Sequence, residues 1–276
     1  MSIKFLYKNF QTMKKHIILT NGRSGSNYLV TLLNSHPQIA NYGEVLGEWT
    51  TLYKVNQKVK FGQSLFNDYY DYMNYVYNSK LFFYISHIYS GYSKIKKQEK
   101  INFKSYQNIK TIGVKEFSIN FKKRNIVNYI KEQEDLFIIN LCRKNSLKRL
   151  ISLEAMKNTG VISSKKTKEN KQIYLSAKNT LQQLEIFEKE KQDQFEMLES
   201  VPNNRILNIY YEDYFSEEKK HKKINKEILD FLQVKQINIS SKHRKILDSD
   251  LSNIIKNYDE IYNLLANSPY EKYLIS

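Results

Sequence analysis

His16-Ile17-Ile18-Leu19-Thr20 runs directly into Asn21-Gly22-Arg23-Ser24-Gly25-Ser26-Asn27 and then into Tyr28-Leu29-Val30-Thr31-Leu32-Leu33. The first five residues are a short apolar run of strand length, and the last six carry the apolar spacing of a helix. Between them the glycines let the chain turn sharply, and the N–H groups that open the following helix point into the turn. Such a turn suits an anion. Gly22, Ser24, Gly25, Ser26 and Asn27 supply donors, Arg23 adds a planar charged fork, and the helix dipole adds favourable potential.

An NTPase or nucleotide kinase would show G-x-x-x-x-G-K-[ST], its lysine on the phosphates and its hydroxyl on magnesium. Here Gly25-Ser26-Asn27 stands at that place and the lysine is missing. Metal-dependent NTP hydrolysis is therefore disfavoured, and no metal is expected.

Further runs of strand length lie at 111–114, 136–142 and 205–210. Helical patterns occupy 27–35, 146–157, 176–200, 217–232 and 248–266. Strands apolar on both faces, alternating with helices, predict an α/β fold with a parallel sheet flanked by helices. A chain of 276 residues with 41% hydrophobic content suits a single domain over 1–276. Two segments stand apart. Residues 61–95 are crowded with Tyr and Phe and read as an inserted helical, aromatic-rich unit. Residues 160–171 are polar and Lys-rich and read as a mobile basic loop.

Lys and Arg number 44 against 28 Asp and Glu, a net charge of +16, which favours anionic partners. Part of that charge reflects a general bias toward Lys, Asn, Ile and Tyr. No stretch reaches the roughly 18 apolar residues of a membrane span, and the first residues lack a signal-peptide pattern. The single cysteine, Cys142, excludes an intramolecular disulfide. A soluble, cytoplasmic protein is the expectation.

The Arg23-Ser24-Gly25-Ser26 turn resembles the 5′-phosphosulfate loop of the sulfotransferase superfamily that uses 3′-phosphoadenosine-5′-phosphosulfate (PAPS). His36-Pro37 followed by Gly43-Glu44 resembles the bacterial carbohydrate-type members. The run from Leu136 into Arg143-Lys144-Asn145-Ser146-Leu147-Lys148-Arg149-Leu150-Ile151-Ser152 is similar to the family's 3′-phosphate site, an Arg at a strand end and a Ser on the next helix. The family more often spaces that pair by eight residues. Arg143 lies nine before Ser152 and Lys144 eight, so the division of roles between them is open. Weaker echoes are Gly113-Val114-Lys115, Tyr211-Glu212-Asp213, and Arg244-Lys245 ahead of Asn257-Tyr258-Asp259-Glu260. The first and third of these link Lys115 to the acceptor and Arg244 and Lys245 to the donor; the Tyr211 and Asn257 segments read as structural.

The resemblance implies a P-loop-like sulfotransferase fold and transfer of a sulfuryl group from PAPS to a hydroxyl or amine. The acceptor class is a glycan, a glycolipid or a small hydroxylated molecule, and the product is adenosine 3′,5′-bisphosphate. It implies a catalytic role for Arg23 and a general base at Glu44, with Glu48 in reserve. His87 is the second candidate for acceptor contact, packing among aromatic rings being its other reading. Two alternatives stay open, a non-catalytic basic binder of polyanion or nucleic acid and a P-loop kinase, although no specific nucleic-acid partner is expected.

Overall fold

Strand β1 (Lys14–Thr20) is apolar on both faces because it lies at the centre of a sheet with helices on either side. A computed structural model describes residues 13–50, 54, 68–96, 98, 103–159, 172–241 and 250–275. Its sheet has five parallel strands in the order β2-β3-β1-β4-β5, where β2 is Ile39–Asn41, β3 Thr111–Phe117, β4 Leu136–Cys142 and β5 Ile206–Tyr210.

The two-residue period of β1 divides the core. Ile17 and Leu19 join Val114, Ile138 and the aromatic side chains Tyr72, Phe82 and Phe83 on one face. Ile18 joins Ile139 and Leu141 with Leu29, Leu32 and Leu33 of the helix Ser26–Ser35 on the other. Burying each such side chain contributes about 1.5–3 kcal/mol. A third cluster, including Leu147, Leu150, Phe187, Ile254 and Ile261, binds the later helices together.

The connection after β1 leads past β3 to the edge strand β2, while the connection after β4 leads to β5 on the opposite side. Neighbouring strands whose connections diverge leave a crevice at their carboxyl ends. That crevice opens at the turn 21–25.

Several details depart from the sequence reading. Strand β2 was not expected: its three residues are too few to show a period, and they become a strand by pairing with Thr111, Ile112 and Gly113. Strand β3 continues beyond residue 114 to Phe117 because Lys115 and Glu116 are both buried. The helix expected over 176–200 is Ala177–Glu196. The helix expected over 248–266 is interrupted between Leu251–Ile254 and Tyr258–Leu265. There Ile173 inserts, donating its N–H to Ile254 O at 2.7 Å and accepting from Lys256 N at 2.9 Å. In the aromatic-rich insertion, Tyr69–Asn78 and Lys80–Lys96 are separate helices, since the Ser79 hydroxyl accepts from Phe82 N and caps the second. Residues 61–67, the basic segment 160–171 and Arg244 and Lys245 lie outside the described residues.

His16 and Gly113 explain one another. The His16 ring is wholly buried, bonded to Thr111 Oγ1 at 2.8 Å and to Asn41 Nδ2 at 3.1 Å. A Cβ on Gly113 would come within 2.2 Å of that ring. Burial pushes the His16 pKa down to about 3, so the ring is neutral and structural.

Candidate active site

The turn after β1 bends through two left-handed residues, Arg23 at φ 65° and Gly25 at φ 85°. A non-glycine residue with positive φ stores strain, which persists where surrounding contacts hold it. Gly25 is doubly constrained, because a Cβ there would lie 2.9 Å from Tyr211 Cδ2 and 3.2 Å from Phe215 Cε2.

The contacts that hold the turn come from the strand-to-helix junction after β4. Arg149 donates from Nε to the Gly22 carbonyl at 2.7 Å, and Arg143 donates from Nη1 to the Arg23 carbonyl at 3.0 Å. In a trans peptide the C=O and the next N–H point in opposite directions. Gripping these two carbonyls therefore aims the N–H groups of Arg23 and Ser24 away from the two arginines. The first-turn N–H groups of Ser26–Ser35 add to them.

The side chain of Arg23 reaches back to the helix Ser146–Thr159, donating from Nε to Ser152 Oγ at 3.0 Å and from Nη1 toward Met156 Sδ at 3.5 Å. Arg23 thus touches both Ser152, through its side chain, and Arg143, through its carbonyl. Burial, followed by the neighbouring Arg143, lowers the pKa of Arg23; burial also lowers that of Arg143. The Arg143 guanidinium lies 4.5 Å over the Tyr211 ring, and its buried Nε has no hydrogen-bond partner among the described residues. Among the described residues no carboxylate lies within ion-pair distance of Arg143. Two half-buried guanidinium groups, close enough for Arg143 to lower the pKa of Arg23, make a corner that suits an anionic group.

Lys144 turns the other way. Its ammonium pairs with Asp213 at 2.7 Å on the surface, so Arg143, not Lys144, faces the turn. Glu212 accepts from the N–H groups of Lys144 and Asn145 at 2.9 and 3.0 Å, which makes the Glu212-Asp213 pair a clamp on the start of that helix. The Ser24 hydroxyl, expected as an open donor, is buried against Thr20 Oγ1 at 2.5 Å, leaving its backbone N–H for the role. Ser26 is buried and Asn27 exposed.

Behind the turn, Asn21 donates to Gln194 Oε1 at 2.7 Å and accepts from Ser118 Oγ at 2.8 Å, while Gln194 donates to Asn140 Oδ1 at 2.5 Å. This satisfied polar network fixes the floor on which the turn rests. Sequence reasoning missed Gln194, Arg149 and the stacking role of Tyr211. For Arg149 a signal existed, since it precedes Ser152 by three residues and so shares a helix face with it.

Glu44 lies at the same carboxyl edge of the sheet. It follows Gly43, whose carbonyl accepts from Lys115 N at 2.9 Å. Its carboxylate pairs with the buried Lys115 ammonium and accepts from the Trp49 indole. Lys115 in turn lies 4.1 Å over the Phe117 ring. Glu116, also missed, accepts from the N–H groups of Val45 and Leu46 and from Asn120 Nδ2. Burial pushes the Glu116 pKa up to about 7, against the opposing pull of those donors and Lys115. Glu48 is two-thirds exposed and pairs with Arg124 at 3.1 Å, outside this arrangement. His87 packs on Phe83, with Nδ1 on the Phe83 carbonyl at 2.9 Å, and Lys115 is the acceptor-side candidate that adjoins Glu44. Among the described residues no cluster of His, Cys, Asp and Glu could hold a metal ion.

No family model matches the chain, and no curated protein does. Among solved structures, the chain is similar to the sulfotransferase domain of the olefin synthase of Synechococcus PCC 7002, at 16% identity and a TM-score of 0.45, covering 82% of this chain and 75% of that one. The sulfotransferase of Alicyclobacillus acidocaldarius is similar at 11% identity and a TM-score of 0.42, over 94% of both chains. A mouse sulfotransferase complexed with PAP matches at 13% identity and a TM-score of 0.41, over 82% of this chain and 61% of that one.

Proposed function

We propose that the protein transfers a sulfuryl group from PAPS to a hydroxyl or amine of an acceptor, with a glycan or glycolipid hydroxyl favoured. The observation that carries this reading is the contact of Arg23 with both Ser152 and Arg143, in a turn whose carbonyls are gripped from behind. The buried Arg143 Nε, which has no hydrogen-bond partner among the described residues, fits an anionic group of the donor. Two adjoining anion points suit a nucleotide phosphorylated at both ends.

In this reading the amides of the turn and Arg23 hold the 5′-phosphosulfate, and Arg143 and Ser152 hold the 3′-phosphate. PAPS would supply a sulfuryl group already activated by its bond to phosphate. Arg23 and the turn amides stabilise the negative charge that grows on the departing phosphate oxygen. Glu44 accepts the proton of the attacking hydroxyl at a carboxylate oxygen, and Lys115 and Trp49 orient that carboxylate. Glu44 is preferred to Glu48 because Glu48 is exposed and held by Arg124.

Thermal unfolding with adenosine 3′,5′-bisphosphate, compared with ATP and magnesium, tests the assignment. A ligand at about a hundred times its Kd stabilises the native state by about 2.7 kcal/mol. The bisphosphate is expected to raise the midpoint by several degrees. A rise with ATP and magnesium and none with the bisphosphate would replace sulfuryl transfer with the kinase reading.

A further inference from the structure

The helix Lys80–Lys96 is apolar on both its faces, and the protein uses one of them. Phe82, Phe83, Ser86 and Gly91 are buried, Phe82 and Phe83 in the core cluster that holds Ile17 and Leu19. On the outer side Leu81, Tyr84, Ile85, Ile88, Tyr92 and Ile95 are all exposed, Ile88 and Tyr92 at 66% each. Their spacing of i, i+3, i+4, i+7, i+11 and i+14 places them in one continuous stripe, about 21 Å long. A contiguous apolar stripe of this kind on a monomer marks an interaction surface.

We infer that this stripe docks on an anionic lipid bilayer and holds the protein at the membrane surface. Charge chooses the occupant. From residue 72 to residue 98 the sequence holds Lys80, Lys94, Lys96 and Lys97 and no Asp or Glu, in a chain of net charge +16. A second copy is the poorer partner. Apposed antiparallel, two stripes would set the exposed Lys80 against the exposed Lys96 of the other copy; apposed parallel, each of these lysines would meet its own counterpart. Lipid headgroups of negative charge answer both the lysines and the stripe. Tyr84 and Tyr92 suit the headgroup level, with an apolar ring and a polar hydroxyl. Among the described residues no helix is long and apolar enough to cross a membrane, so the contact is with the surface.

Flotation with phosphatidylcholine vesicles, with and without about one third phosphatidylglycerol, tests this independently of any activity. The intact protein is expected to float with the anionic vesicles about tenfold more than with neutral ones, and less so at high salt. Hydrogen exchange should slow at residues 80–96 on the anionic vesicles. The double variants Ile88→Asp/Tyr92→Asp and Leu81→Ser/Ile85→Ser change exposed positions, so the unfolding midpoint should hold while flotation falls about tenfold or more. Three results would overturn the inference: no flotation of the wild type, variants that float as well as the wild type, or a solution dimer that both variants dissociate. The first two would leave the sulfuryl-transfer reading untouched, since that reading is judged by nucleotide binding.

Discussion

The segment that follows β1 is held from behind by cations, whereas the segment that follows β2 is held by a carboxylate. Arg149 and Arg143 take the carbonyls of Gly22 and Arg23, while Glu116 takes the N–H groups of Val45 and Leu46. Which half of the peptide is gripped decides which half is offered. The first segment offers N–H groups and suits an anion; the second spends its N–H groups on Glu116 and offers the Glu44 carboxylate. Both lie at the carboxyl edge of one parallel sheet, and in the proposed function a binding task and a proton-accepting task are divided between these neighbouring loops.

Removing the charge of the first segment should have the largest effect. Arg23→Ala is expected to slow sulfuryl transfer about a hundred- to a thousandfold under saturating PAPS. An unchanged rate would strip that turn of its catalytic part.

Glu44→Gln addresses the second segment and should lower kcat by about a hundredfold while donor affinity, read by nucleotide titration, stays put. If donor affinity fell with the rate, the division between the two segments would disappear.

Gly25→Ala asks whether the bent backbone is required. Forcing a Cβ at φ 85° and against Tyr211 should cost about 1–3 kcal/mol, read as a lower unfolding midpoint. An unaltered midpoint would mean that the turn relaxes freely.

Glu116→Gln has the smallest expected effect and probes the grip on the second segment. The folded-state pKa of Glu116 is raised from the usual 4.5 to about 7, so between those values the folded protein binds a proton that the unfolded chain has released. Stability contributed by this group therefore falls as pH rises from about 4.5 to 7 and levels off above. The variant should flatten that slope in a series of unfolding midpoints. A slope identical to the wild type would show that Glu116 does not titrate there.

Legibility in the sequence followed the range of the interactions. The 16–33 stretch announced strand, turn and helix because each is a local pattern, and the structure places all three there. Strand β2 escaped notice because three residues carry no period and their pairing with β3 is distant in the chain. Glu116 escaped because a charged residue in an apolar run reads as a strand end; its partners, Val45 and Leu46, lie about 70 positions away. Arg143 and Lys144 were indistinguishable as neighbours. Their opposite orientations depend on Tyr211 and Asp213, which arrive with the fifth strand.

The amino-acid sequence by itself determined the layered α/β arrangement and the sharp turn at 21–27 between strand and helix, because apolar period, glycine freedom and first-turn N–H groups act within a few residues. The tertiary structure alone decided which cation faces that turn, which carboxylate pairs with Lys115, and which face of Lys80–Lys96 is left to solvent. Those outcomes depend on side chains tens of residues apart competing for the same carbonyls, amides and buried volume, and no local pattern ranks such competitors.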